Sequence, residues 1–143
     1  MYHFRKRSDK YRDIFPQNVA ILSDLFSQVL AGQYGNFLEV GMKKFSFGED
    51  LLGFTHGKKI QKGKSWRKCK ALYMPLNVRE CHWVALVADL VKCELVVLDA
   101  DIAVNTTKQM EEAVRLFYAL LPLLLRDSKQ FKSLGKKLDS KWS

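Results

Sequence analysis

Three cysteines are too few and too widely spaced for a disulfide framework. Cys69, Cys81 and Cys93 form no CxxC pair, so neither a stapled secreted scaffold nor a cysteine metal site is indicated. A reducing compartment, nucleus or cytoplasm, fits them best. No residue pattern calls for a cofactor or a metal. Long apolar runs are also missing. The longest, residues 116–125, is too short to cross a bilayer and contains Pro122, so it reads as a buried helix. The first residues are charged and lack an apolar stretch, which excludes a secretory signal there. Acids are scarce: 15 Asp and Glu face 24 Lys and Arg, a net charge of +9. The excess is clustered. The stretch from His56 to Lys70 holds Lys58, Lys59, Lys62, Lys64, Arg67, Lys68 and Lys70 with no acid. Such a patch can bind nucleic acid or an acidic protein surface. It can equally be a solvated loop, and no nucleic-acid motif accompanies the lysines.

What is present suits one domain with a real core: 143 residues, 48% apolar and 27% charged. Residues 1–12 read as a basic tail. Val19, Leu22, Leu25, Phe26, Val29 and Leu30 make a stripe at spacings of three and four, predicting a helix over Gln17 to Ala31 with Gly32 just past its end. Between Tyr34 and Trp66 the pattern is least regular. Residues 37–40 and 43–47 suggest short strands, and 49–54 a helical turn. His56 is read as an exposed loop residue. The stretch Gly57 to Ser65 is one residue too long for a phosphate loop and is followed by no helix, so it is no nucleotide site. Residues 71–74 form a short apolar strand ended by Pro75. Residues 81–88 and 94–98, broken at Lys92, predict an antiparallel hairpin. Thr106 and Gln109 spell a capping box. Met110, Ala113, Val114, Phe117, Leu120 and Leu121 then form a helical face that Pro122 should end or kink. Residues 130–143 read as a loose basic tail. The order is α+β: an N-terminal helix, an antiparallel three-strand core and a long following helix.

The hairpin carries the most chemically suggestive pair. With the turn centred between Leu90 and Val91, Ala88 faces Cys93, Leu86 faces Leu95, Val84 faces Val97, and His82 faces Asp99. Opposed residues share a face, so the carboxylate would fix the tautomer of the imidazole and stabilise its charged form. A slip of one residue would separate them onto opposite faces. The plain alternative is a strand-start histidine beside a turn-starting aspartate.

Pro75 and Asn77, then His82–Trp83, Asp89 and Asp99, with seventeen residues from His82 to Asp99, form a pattern. It resembles the catalytic domain of the ubiquitin-like-protein-specific cysteine proteases, the SUMO-processing proteases, in their plant and transposon-associated branch. The resemblance spans Trp66 to Leu125. It implies a partial papain-like cysteine protease fold, with His82 as general base, Asp99 orienting it, and Trp83 lining the tunnel for a Gly-Gly tail. The partner it implies is the C-terminal tail of a ubiquitin-like protein. The family's downstream glutamine and nucleophilic cysteine have no counterpart before Ser143, so residues 1–143 are expected to be an incomplete, inactive protease domain. Two other readings stand beside it. One is a non-catalytic module binding ubiquitin-like proteins. The other is a nucleic-acid-associated protein using the basic loop from Lys58 to Lys70.

Overall fold

Apolar residues alternate from Ala71 to Leu98, and alternation builds half-buried strands. The computed structural model describes residues 18–57, 65–139 and 141–142. Strands β1 (Val19–Ile21), β2 (Ala71–Val78), β3 (His82–Asp89) and β4 (Glu94–Leu98) form one sheet in that order. The three antiparallel strands are those expected, and β1 adds a parallel fourth. Two rows of side chains cross the sheet on its inner face: Leu72, Ala88, Leu95 and Met74, Leu86, Val97. Leu72, Met74, Leu86 and Ala88 are wholly buried.

Helices α1 (Asp24–Ala31), α2 (Tyr34–Val40), α3 (Glu49–Thr55) and α4 (Thr107–Ser128) complete the α+β layout. Their buried faces join the inner rows in one core. From α4 come Val114, Phe117, Leu120, Leu121, Leu124 and Leu125; from α1, Phe26 and Leu30. Phe26 meets Phe54 and Trp66 edge-on at 5.3 and 5.4 Å. Each wholly buried Leu or Phe contributes about 1.5–3 kcal/mol. The capping box forms as predicted: Thr106 Oγ1 accepts from the Gln109 N–H, and Gln109 Oε1 from the Thr106 N–H.

Several expectations are corrected. The helix predicted from Gln17 is a strand first, since Val19 to Ile21 pair with Ala71 to Tyr73; Gln17 lies outside the described residues. Ser23, extended at φ −87°, then opens α1 with Asp24 in its first turn. Residues 37–40 lie in α2 rather than a strand, and 43–47 form none. Instead, the Phe47 N–H donates to Asp127 Oδ2 and Arg126 Nη2 to the Phe45 carbonyl.

Both prolines expected as terminators lie inside their elements. Pro75 continues β2 opposite Ala85 because its carbonyl accepts from Ser27 Oγ on α1. A strand residue's N and C=O point the same way, so the missing N–H faces away from β3. Pro122 lies within α4, where its ring forfeits the bond to the carbonyl four residues back, that of Tyr118. That carbonyl accepts instead from the Trp142 N–H at 3.0 Å. The tail expected over residues 130–143 is docked where described. Lys132–Leu138 form 3₁₀ turns, and Phe131, Leu138 and Trp142 are buried. The predicted N-terminal tail, residues 1–12, and the lysines of the basic loop up to Lys64 lie outside the described residues. Arg67, Lys68 and Lys70 are exposed, as is His56.

Candidate active site

Two turns hold the first residue of β3 in place. Before it, Arg79 and Glu80 both take left-handed backbone, φ 55° and 59°, and the Cys81 N–H donates to the Val78 carbonyl. Paired left-handed residues match the twist of a tight hairpin; Val78 lies opposite His82, with three residues between them. After β3, Asp89 Oδ1 accepts from the N–H groups of Val91 and Lys92, both at 2.9 Å, and Cys93 adopts φ 57°. This turn is longer than the sequence suggested. Leu86 therefore pairs with Val97, not Leu95, and Ala88 with Leu95, not Cys93.

The correction is a slip of two residues, which leaves every side chain on its predicted face. Asp99 becomes a diagonal rather than a direct neighbour of His82, a separation long side chains span. The contact forms: His82 Nε2 lies 2.6 Å from Asp99 Oδ1. The same oxygen accepts from the Asp101 N–H at 3.0 Å. The two side chains are 16% and 9% exposed, sheltered enough to hold one geometry and open enough to meet a substrate. The hydrogen bond from His82, then that from Asp101, holds the Asp99 carboxyl below its ordinary value. An ionised carboxylate only accepts, so Nε2 carries the proton and Nδ1 is left as the basic nitrogen. Chemically, an imidazole held this way can accept a proton at Nδ1 while the carboxylate stabilises the charged ring.

The other candidates lie elsewhere. Trp83 pairs with Asn77 on the outer face and is 55% exposed, one residue from His82 but on the opposite side of the sheet. Cys81 is exposed and its thiol donates to the Val78 carbonyl. Cys69 and Cys93 flank the far ends of β2 and β3. His82 to Asp89 is seven steps of about 3.3 Å, so roughly 23 Å separates the ends. Burial pushes the Cys93 thiol above its ordinary value. Sequence reasoning missed Asn105. Its Oδ1 accepts from Arg79 across to the first turn, while its buried Nδ2 has no partner among the described residues. No signal in the chain marks that contact. Among the described residues no group of His, Cys, Asp or Glu could hold a metal, and no helix is long and apolar enough to cross a membrane.

The sequence matches the Ulp1 protease family, C-terminal catalytic domain, over residues 1–140. The chain belongs to the Ulp1 protease family. This is a family of cysteine peptidases acting on ubiquitin-like proteins. No curated protein and no solved structure gives a match. Membership extends the resemblance beyond Trp66 to Leu125, into the region containing β1 and the three short helices. In this Ulp1-family chain the imidazole–carboxylate contact stands at the open end of the β3–β4 hairpin, with the apolar rows behind it.

Proposed function

We propose that His82 and Asp99 are the general base and orienting carboxylate of a Ulp1-type cysteine peptidase site, and that Trp83 flanks the substrate tail. The observation that carries this reading is the 2.6 Å contact between His82 Nε2 and Asp99 Oδ1. With Nε2 tied to the carboxylate, Nδ1 takes the proton of an attacking thiol. The carboxylate then stabilises the positive ring that results. The thiolate adds to the carbonyl carbon of the scissile bond, and the ring returns its proton to the leaving amine.

The chain's own thiols are poorly disposed for that attack. Cys69 and Cys93 belong to the far end of the sheet, and the Cys81 thiol is bonded to a backbone carbonyl. Residues 1–143 alone therefore bind the C-terminal tail of a SUMO-type protein without cleaving it. The test is a titration with such a precursor, with mass spectrometry of the mixture. Trp66 and Trp142 are buried and Trp83 is exposed, so a change in tryptophan emission reports on Trp83. Expected are a saturable change, its weakening by Trp83→Ala, and an intact precursor. Tail removal abolished by His82→Ala would overturn the non-cleaving part of this reading. An emission spectrum indifferent to the precursor would overturn the binding part.

A further inference from the structure

We infer that Asp101 is a positioning residue: its carboxylate shapes the segment after β4 so that its own backbone N–H aims Asp99 at His82. The inference rests on the reading of His82 and Asp99 as base and orienting carboxylate.

The sheet does not hold Asp99. Pairing between β3 and β4 ends at Ala85 and Leu98, just before it. The core does not hold it either. None of residues 99–105 belongs to the buried cluster, and Ile102 and Val104 stand 83% and 41% exposed. The terminal torsion of an aspartate side chain is broad, so a carboxylate left to itself turns easily. Hydrogen bonds must therefore set it.

Those bonds run in sequence. Asp99 Oδ1, the atom 2.6 Å from His82 Nε2, also accepts from the Asp101 N–H at 3.0 Å. A carboxylate oxygen accepts through lone pairs near its own plane, so two donors on one oxygen fix that plane. An aspartate bonded to the amide two residues on forms an Asx turn. Asp101 repeats the turn: its Oδ1 accepts from the Ala103 N–H at 3.1 Å, and its carbonyl from the Val104 N–H at 3.4 Å. This second turn fixes the backbone at 101, and with it the amide that the first turn uses. The far end of the segment is tied to the β2–β3 turn, where Asn105 Oδ1 accepts from Arg79 Nη1. Asp101 is itself exposed, so packing does not explain the arrangement.

Charge and geometry act on Asp99 in opposite directions, which separates them. Removing the negative charge at 101 eases ionisation of Asp99 and lowers its titration; losing the Asp101 N–H bond raises it. His82 is the charge that acts directly on Asp99. It is common to every Asp101 variant, as are Arg79 and Glu80 on the adjoining turn. Asparagine at 101 keeps the Oδ1 acceptor without the charge, and alanine keeps neither.

NMR on the whole chain, without substrate, tests the inference. It follows the Asp99 carboxyl through its titration and the His82 Nε2 proton through its exchange with solvent. In Asp101→Ala the Asp99 midpoint is expected to rise toward 3.8 and the His82 proton to exchange faster. In Asp101→Asn neither changes in that direction. Circular dichroism confirms that both variants are folded. An Asp99 midpoint that stays or falls in Asp101→Ala, or rises equally in Asp101→Asn, overturns the inference and leaves the His82–Asp99 pair standing. An Asp99 midpoint indifferent to His82→Ala means that the two groups do not touch, and overturns both the inference and the reading beneath it.

Discussion

Replacing Arg79–Glu80 by Asn–Gly should stabilise the chain. Both residues carry side chains in left-handed backbone, φ 55° and 59°. That conformation costs an L-residue about 1–2 kcal/mol, which glycine escapes and asparagine partly escapes. Against this stands the larger freedom glycine gives the unfolded chain, about 0.4–1 kcal/mol. The hydrogen bond from Arg79 Nη1 to Asn105 Oδ1 is also lost, but it is long at 3.5 Å and exposed. Such a bond contributes at most about 0.5 kcal/mol. The balance is a gain of about 1 kcal/mol. For a chain of this size that raises the melting temperature by about 3 °C. Asn–Gly favours the same pair of left-handed backbone conformations at positions 79 and 80. Thermal melts of wild type and Arg79→Asn/Glu80→Gly, followed by circular dichroism, supply the comparison. A fall in melting temperature, or none beyond error, would refute the claim that the turn is strained. Proline at position 80, locked near φ −65°, should in contrast disrupt the hairpin.

Three further outcomes follow from the same contacts. Asp99 is held below its ordinary 3.8, first by His82 and then by the Asp101 N–H. Its contribution is thus complete above 3.8 and drains away as pH falls through the lowered folded value. In denaturant titrations the stability advantage of wild type over Asp99→Asn should shrink below that pH, and an advantage growing on acidification would contradict the linkage. Leu124→Ala should destabilise by about 3 kcal/mol and Trp83→Ala by under about 0.5, the first wholly buried and the second half-exposed; equal effects would mean Trp83 is core. Trp142→Ala should lower stability by about 2 kcal/mol and speed amide exchange across residues 131–142, whereas unchanged exchange would show that the segment is not held by that ring.

The hairpin, the capped helix and the imidazole–carboxylate pair were legible because each is a local pattern. Alternation marks β3 and β4, and Thr106 with Gln109 spells a cap three residues apart. What was not legible depends on distant partners. Val19 to Ile21 continue the helical stripe of Leu22 and Phe26, so only their pairing with Ala71 to Tyr73 makes them a strand. Pro75 and Pro122 read locally as terminators. Each is tolerated because a remote group completes its surroundings: Ser27 donates to the Pro75 carbonyl, and Trp142 uses the carbonyl that Pro122 leaves unpaired. Residues 130–143 read as a loose tail for the same reason. Its lysines dominate the composition, while three widely spaced residues, Phe131, Leu138 and Trp142, dock it.

The His82–Asp99 contact forms despite a register two residues from direct opposition, which shows what the pair requires. A turn one residue different in length would move Asp99 to the outer face together with Leu95 and Val97, out of reach of His82. The turn capped by Asp89 is instead two residues longer in effect, so parity holds and Asp99 stays on the inner face. Distance is then made up locally. Asp99 lies just beyond the last paired residue, Leu98, where the backbone is no longer bound to β3, and the Asp101 N–H binds its carboxylate. The geometry thus depends on face parity set by one turn and on a short unpaired segment that can lean back toward His82. A single-residue insertion between Leu90 and Cys93 disturbs the first and should break the contact, while a change of two residues should preserve it. Proximity of seventeen residues along the chain means little without that parity.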